Sequence, residues 1–125
     1  MVNTFEGAKP MKETKSLVYE IDDEPIGVAN VEAETLEEAV ELVKEDFTSF
    51  ENFQNFEITE TSPFDDSTTT WNAYFRADGK NARYDGVWMV DANDEREANQ
   101  GAIERFKEVF GNCSIGEYAL NLSEL

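Results

Sequence analysis

Apolar residues recur along this chain with two different periods. From Leu17 to Ile21 they alternate, with Leu17, Tyr19 and Ile21 on one side and Val18 and Glu20 on the other; alternation resumes from Ile26 to Ala33. That period predicts two half-buried strands, and Asp22-Asp23-Glu24-Pro25 between them predicts a hairpin turn. At Leu36 the period lengthens. Turned by about 100° per residue, Leu36, Ala39, Val40, Val43, Phe47 and Phe50 fall within one stripe, as an amphipathic helix requires. Asn55 to Thr61 then reads as a third strand. A second passage follows in the same order. Trp71, Ala73 and Phe75 face one way, Asp78-Gly79-Lys80-Asn81 turns the chain, and Tyr84 to Ala92 returns with Trp88, Val90 and Ala92 on one face. A helix carrying Ala98, Ala102, Phe106 and Val109 comes next, and Gly116 to Leu122 reads as a last strand.

The two passages align. Val31-Glu32-Ala33-Glu34-Thr35-Leu36-Glu37-Glu38-Ala39 matches Val90-Asp91-Ala92-Asn93-Asp94-Glu95-Arg96-Glu97-Ala98 at a constant offset of 59. Val31/Val90, Ala33/Ala92, Glu38/Glu97 and Ala39/Ala98 are identical pairs, and Val43/Ala102, Phe47/Phe106 and Phe50/Val109 keep apolar character in register. Thr35 and Asp94 each precede a Glu by three residues, the spacing of a capping box. The expected fold is therefore α+β: two tandem ββαβ units with a pseudo-two-fold relation, their antiparallel sheet covered by two helices. Residues 1–14, with Gly7 and Pro10, read as a flexible N-terminal arm, 15–62 as the first unit and 63–125 as the second, joined at Ser62-Pro63-Phe64-Asp65-Asp66-Ser67-Thr68 into one compact domain.

Composition changes the picture in one respect. At 40% hydrophobic and 12% aromatic residues, nine of them Phe, the 125-residue chain can bury a core. Its charge lies outside the ordinary range, with 28 acids against 10 bases for a net −18. Residues 1–62 hold 16 acids and 4 bases, net −12; residues 63–125 hold 12 and 6, net −6. Such a field repels nucleic acid and anionic lipid and favours basic partners. No apolar run is long enough for a membrane helix. Met1 to Thr14 has no apolar core of a secretory signal. The single cysteine, Cys113, excludes an internal disulfide and fits a reducing cytoplasm.

Candidate chemistry is sparse. The chain has no histidine, which removes the usual general base and the commonest metal ligand. Cys113, in Gly111-Asn112-Cys113-Ser114, has no imidazole to activate it. Asp91-Ala92-Asn93-Asp94-Glu95 begins like a calcium loop, but Arg96 stands where the sixth-position glycine belongs and Ala102 where the twelfth-position glutamate belongs. We expect no catalytic residue, no metal and no cofactor. Among the bases, Arg76, Lys80 and Arg83 cluster beside Tyr74, Tyr84 and Trp88. Aromatics interleaved with bases are one form of nucleic-acid platform, but the overall field opposes it, and pairing with acids of the same fold is expected.

The acids are better organised. On the first helix Glu34, Glu38, Glu41 and Glu45 lie opposite the apolar stripe with Glu37 on its flank, three or four residues apart, or roughly 5–6 Å between Cβ atoms. Lys44 alone offsets them. On the second helix Glu97, Glu104 and Glu108 repeat the theme, diluted by Arg96, Arg105 and Lys107. Asp22, Asp23 and Glu24 add an acidic hairpin turn, which suits solvent or a partner better than a metal. In size, charge density and lack of catalytic groups the chain resembles the phage-encoded anti-CRISPR and anti-restriction proteins that act as DNA mimics. That resemblance implies a non-enzymatic inhibitor whose carboxylates, on the eleven residues just named, stand in for phosphates. Its partner would be a basic nucleic-acid-binding protein or nuclease complex. Neither direct nucleic-acid binding nor membrane attachment is expected, the chain acts as a monomer or homodimer, and the location is the cytoplasm, that of the host cell if phage-encoded. Alternatives are an immunity protein against a basic nuclease toxin, a generic ββαβ module binding a small ligand or peptide between its halves, and an ordinary protein from a high-salt habitat.

Overall fold

The structure is a computed structural model that describes residues 12–66, 69–112 and 118–125, with the side chains of 111 and 112 excepted. The strands are β1 (Glu13–Ile21), β2 (Glu24–Ala33), β3 (Phe53–Pro63), β4 (Thr70–Gly79), β5 (Ala82–Asp91) and β6 (Leu120–Glu124); the helices are α1 (Leu36–Asp46), between β2 and β3, and α2 (Glu95–Asn112), between β5 and β6. A 3-10 turn, Phe50–Asn52, leads from α1 into β3. The six strands form a single sheet in the order β3-β4-β5-β2-β1-β6, every neighbouring pair antiparallel. The fold is thus α+β. Because β3 pairs with β4, hydrogen bonding runs straight across the expected boundary at 62/63. β1 begins at Glu13, inside the segment expected to be an arm; Cys113 and Gly116 lie outside the described residues.

Both helices lie on one face of the sheet. Paired residues of one parity are buried beneath them: Leu17 and Tyr19 on β1, Ala29 and Val31 on β2, Ala82, Tyr84 and Trp88 on β5, Ala73, Phe75 and Ala77 on β4. Onto this floor α1 sets Ala39 and Val43, with Phe47 capping its end, and α2 sets Ala98, Ala102, Phe106, Val109 and Phe110. The helices meet ring to ring, Phe47 on Phe110 at 4.6 Å between centroids, while Phe106 stacks on Phe110 at 4.3 Å. Aromatic pairs of this kind add about 0.5–1.5 kcal/mol beyond their area burial. The opposite parity, including Tyr74 and Met89, faces away from the helices and is open.

The first helical stripe needs two corrections. α1 ends at Asp46, and Phe50 belongs to the 3-10 turn, where it packs on Phe106 at 5.7 Å. The hydroxyl of Ser49 accepts from Glu51 N–H and caps that turn. Leu36, at the first position of α1, is 37% exposed. The second stripe is buried as expected.

Candidate functional site on the acidic helix surface

Each helix starts at a side-chain cap. Thr35 Oγ1 accepts from Glu38 N–H at 3.0 Å, and Glu38 Oε1 accepts from Glu34 N–H at 2.6 Å. Fifty-nine residues on, Asp94 Oδ1 accepts from Glu97 N–H at 2.8 Å and Glu97 Oε1 from Asn93 N–H at 3.2 Å. Two otherwise orphaned donors are satisfied at each end, which is why helices begin there.

This geometry divides the acidic set. Glu38 is half-buried and committed to its cap; it was expected on the free face, but its place in the capping box turns it back toward the preceding backbone. Glu97 is committed in the same way. Glu45 is tied to the β4–β5 turn, accepting from Asn81 Nδ2 at 2.8 Å and pairing with Lys80 Nζ at 3.9 Å. Glu104 accepts from Gln100 Nε2 and Glu108 from the Tyr118 hydroxyl. Glu34, Glu37 and Glu41 remain, exposed and with carboxylates that meet no donor among the described residues; Glu34, expected on the helix face, lies before the Thr35 cap and so outside α1.

The hairpin acids serve the chain as well. Asp22 and Asp23 have φ of 53° and 70°, the left-handed pair that a tight two-residue hairpin demands. Asp22 also exchanges hydrogen bonds with Ala119, its N–H donating to Ala119 O and its Oδ1 accepting from Ala119 N–H, both at 2.9 Å, which fastens the lead-in to β6. Glu24 is exposed at the start of β2.

The bases of the second hairpin pair within the fold. Arg76 Nε meets Asp85 Oδ1 at 3.1 Å, Arg83 Nε meets Asp78 Oδ1 at 3.2 Å, and Lys80 reaches Glu45. Their neighbours Tyr84 and Trp88 are buried on the other side of the sheet, so no stacking platform forms. Tyr74, 44% exposed, is the aromatic that shares the open face.

One acid escaped the sequence reading. Asp46 is fully buried, and its carboxylate accepts from Asn81 N–H at 2.9 Å, Ala82 N–H at 3.0 Å and Tyr84 Oη–H at 2.7 Å. It locks the β4–β5 turn to the end of α1. Burial raises its carboxyl above the ordinary value, against the pull of those three donors, and Tyr84 is raised in turn by burial and by the Asp46 charge. The available signal was position: Ala39, Val43 and Asp46 share the buried stripe.

Among the described residues no helix is long and apolar enough to cross a membrane, and no group of three acid or cysteine side chains is placed to hold a metal ion. No protein-family model, curated protein or solved structure matches the chain.

Proposed function

We propose that this protein is a non-enzymatic inhibitor or docking protein whose α1 carboxylates occupy a basic, nucleic-acid-binding surface of a partner protein, in the manner of a DNA mimic. The observation that carries the reading is an asymmetry in how charge is used. Glu37 and Glu41 stand exposed and unpaired on α1, and Glu34 does so just before its Thr35 cap, while Arg76, Lys80 and Arg83 are consumed within the fold. Glu37 and Glu41, four residues apart on the helix, place their Cβ atoms roughly 5–6 Å from one another. Each carboxylate that meets a lysine or arginine makes a charge-assisted bond, roughly twice as strong as a neutral one. The −18 field steers a basic partner toward it.

The tandem arrangement belongs to the same proposal. Two ββαβ units related by a pseudo-two-fold would present two acidic helices side by side, α1 the sharper and α2 the duller. Gly27 and Gly86, equivalent at the offset of 59, pair with each other across the β2–β5 ladder, where such an axis would pass. The backbones are so close there that a Cβ on Gly27 would lie 1.8 Å from Asp85 O. An immunity protein against a basic nuclease would work by the same physics with another target. Both readings suit a cytoplasmic protein.

The test is capture from the native host with the whole chain as bait, followed by salt elution. A nucleic-acid-binding protein or nuclease released by salt, and competed by DNA, is the expected outcome. A partner that resists salt and ignores DNA would contradict it. Retention of structure at low salt separates this reading from a halophile's acidic surface, which would lose its fold there.

A further inference from the structure

We infer that the open face of the sheet is a second docking surface, one that takes a partner's amphipathic helix whose apolar stripe is bordered by lysines or arginines. The pairing register lines its residues up. Val18 on β1 lies beside Val28 on β2, and Tyr74 on β4 beside Val87 on β5. Val28 sits opposite Asp85, two residues before Val87, so the two valines are diagonal neighbours about 7–8 Å apart. All four have the parity that points away from the helices, as does Met89 two residues beyond Val87. They form one apolar band across four adjacent strands. Around Val28, Tyr74 and Val87 the surface dips into a depression of about 340 Å³.

A solvated sheet face ordinarily carries polar residues at these positions. Strand propensity accounts for the valines and the tyrosine, but not for Met89, which is 54% exposed. Methionine is common on surfaces that repack around a partner, and apolar side chains gathered in mid-face mark an interaction site. Charge selects the occupant. Arg76 and Arg83, the arginines of this face, already hold Asp85 and Asp78. Glu20 on β1, and Glu57 and Glu60 on β3 at the other flank, meet no donor among the described residues. A second copy would bring these carboxylates together at −18 per chain, and an anionic membrane is repelled as well. An added strand is disfavoured, because the β3 edge carries two register shifts, both glutamates and a terminal Pro63, all of which oppose edge pairing. A helix fits: its anchors, three or four residues apart, lie in the band while flanking lysines reach Glu20, Glu57 and Glu60. With strands about 4.8 Å apart the band is about 15 Å wide, close to three helical turns. This surface is on the far side of the sheet from α1 and does not rest on the α1 reading.

The probe is a short synthetic peptide of leucine, alanine and lysine with its leucines three or four residues apart in one stripe. Its control is a scrambled peptide of the same composition and charge. Each is titrated into uniformly 15N-labelled full-length protein while backbone amide shifts are followed. The striped peptide should shift the amides of Val28, Tyr74, Val87 and Met89 saturably, and the scrambled one should bind there at least about tenfold more weakly. Val87→Thr with Met89→Thr, both compatible with a strand, should weaken the striped peptide by about tenfold through lost apolar burial. Glu57→Gln with Glu60→Gln, exposed changes that leave the core alone, should weaken it several-fold and flatten its salt dependence. Near-UV circular dichroism checks that the variants fold. Equal binding of the two peptides would reduce the contact to charge alone and overturn the site, as would shifts confined to α1. So would a Val87/Met89 variant that binds like the parent, or a Glu57/Glu60 variant with the parent's salt dependence. Open-face amides that move when the protein is diluted without peptide would assign the face to a second copy and overturn the proposal too.

Discussion

Glu37 and Glu41 on α1 and Arg76 and Arg83 on the β4–β5 hairpin are all exposed charges, yet the chain treats them differently. The hairpin arginines each find an aspartate across their own sheet, while the α1 glutamates find nothing. Like charges three or four residues apart cost a helix a few tenths of a kcal/mol per pair. Ion pairs between exposed groups return only about 0–1 kcal/mol. Stability therefore explains neither arrangement well. The hairpin charges can be accounted for inside the molecule; those of α1 are not, and in the proposed function they meet a basic partner.

The two regions are joined at Asp46, so that residue gives the largest way to disturb the comparison. Asp46→Ala should destabilise the fold by about 3 kcal/mol, because it leaves the Ala82 N–H and the Tyr84 hydroxyl buried without an acceptor. Chemical denaturation measures it, and a loss below about 1 kcal/mol would mean that water replaces the carboxylate. The same group sets a pH dependence. With its folded value raised above the ordinary 3.8 by burial, the folded chain holds this proton more tightly than the unfolded chain. Its contribution is fully present below 3.8 and is lost as pH rises through the raised folded value. The stability difference between wild type and Asp46→Asn should thus shrink over that window; a difference that grows with pH would contradict the assignment.

The caps come next. Thr35→Ala and Asp94→Ala should each cost about 1 kcal/mol in the same assay, and equal losses would support equivalent roles at the offset of 59. The smallest effect belongs to the hairpin surface. Arg76→Gln and Arg83→Gln should each change stability by less than about 0.5 kcal/mol and leave partner capture intact. A loss of capture would move the docking surface to the open face of the sheet.

What could be read beforehand follows the range of the interactions. Strands, turns and both capping boxes depend on residues within a few positions of one another, and these emerged from period and spacing. The end of α1 did not, because the apolar period runs on to Phe50 while Ser49 starts a new turn locally. Asp46 was hidden for a different reason: its donors lie 35 to 38 residues away, on a turn whose docking no local pattern announces. The helical angle puts Glu38 and Glu45 on the acidic face, yet one is spent on the cap and the other on Asn81, commitments that angle alone does not reveal.

The sharpest test of the central claim changes only the carboxylates that the fold leaves free. Glu34, Glu37 and Glu41 are replaced together by Gln, sparing the Glu38 cap and the Glu45 tie, and wild type and variant are titrated against the captured partner at two salt concentrations. Because Gln is nearly as good a helix former as Glu, the fold should survive with unchanged or slightly higher stability. Affinity should fall by at least about tenfold per lost charge-assisted contact, and the salt dependence should flatten as those contacts disappear. If the variant binds as tightly as wild type with the same salt slope, the α1 acids are only a solvated face and the mimicry reading fails.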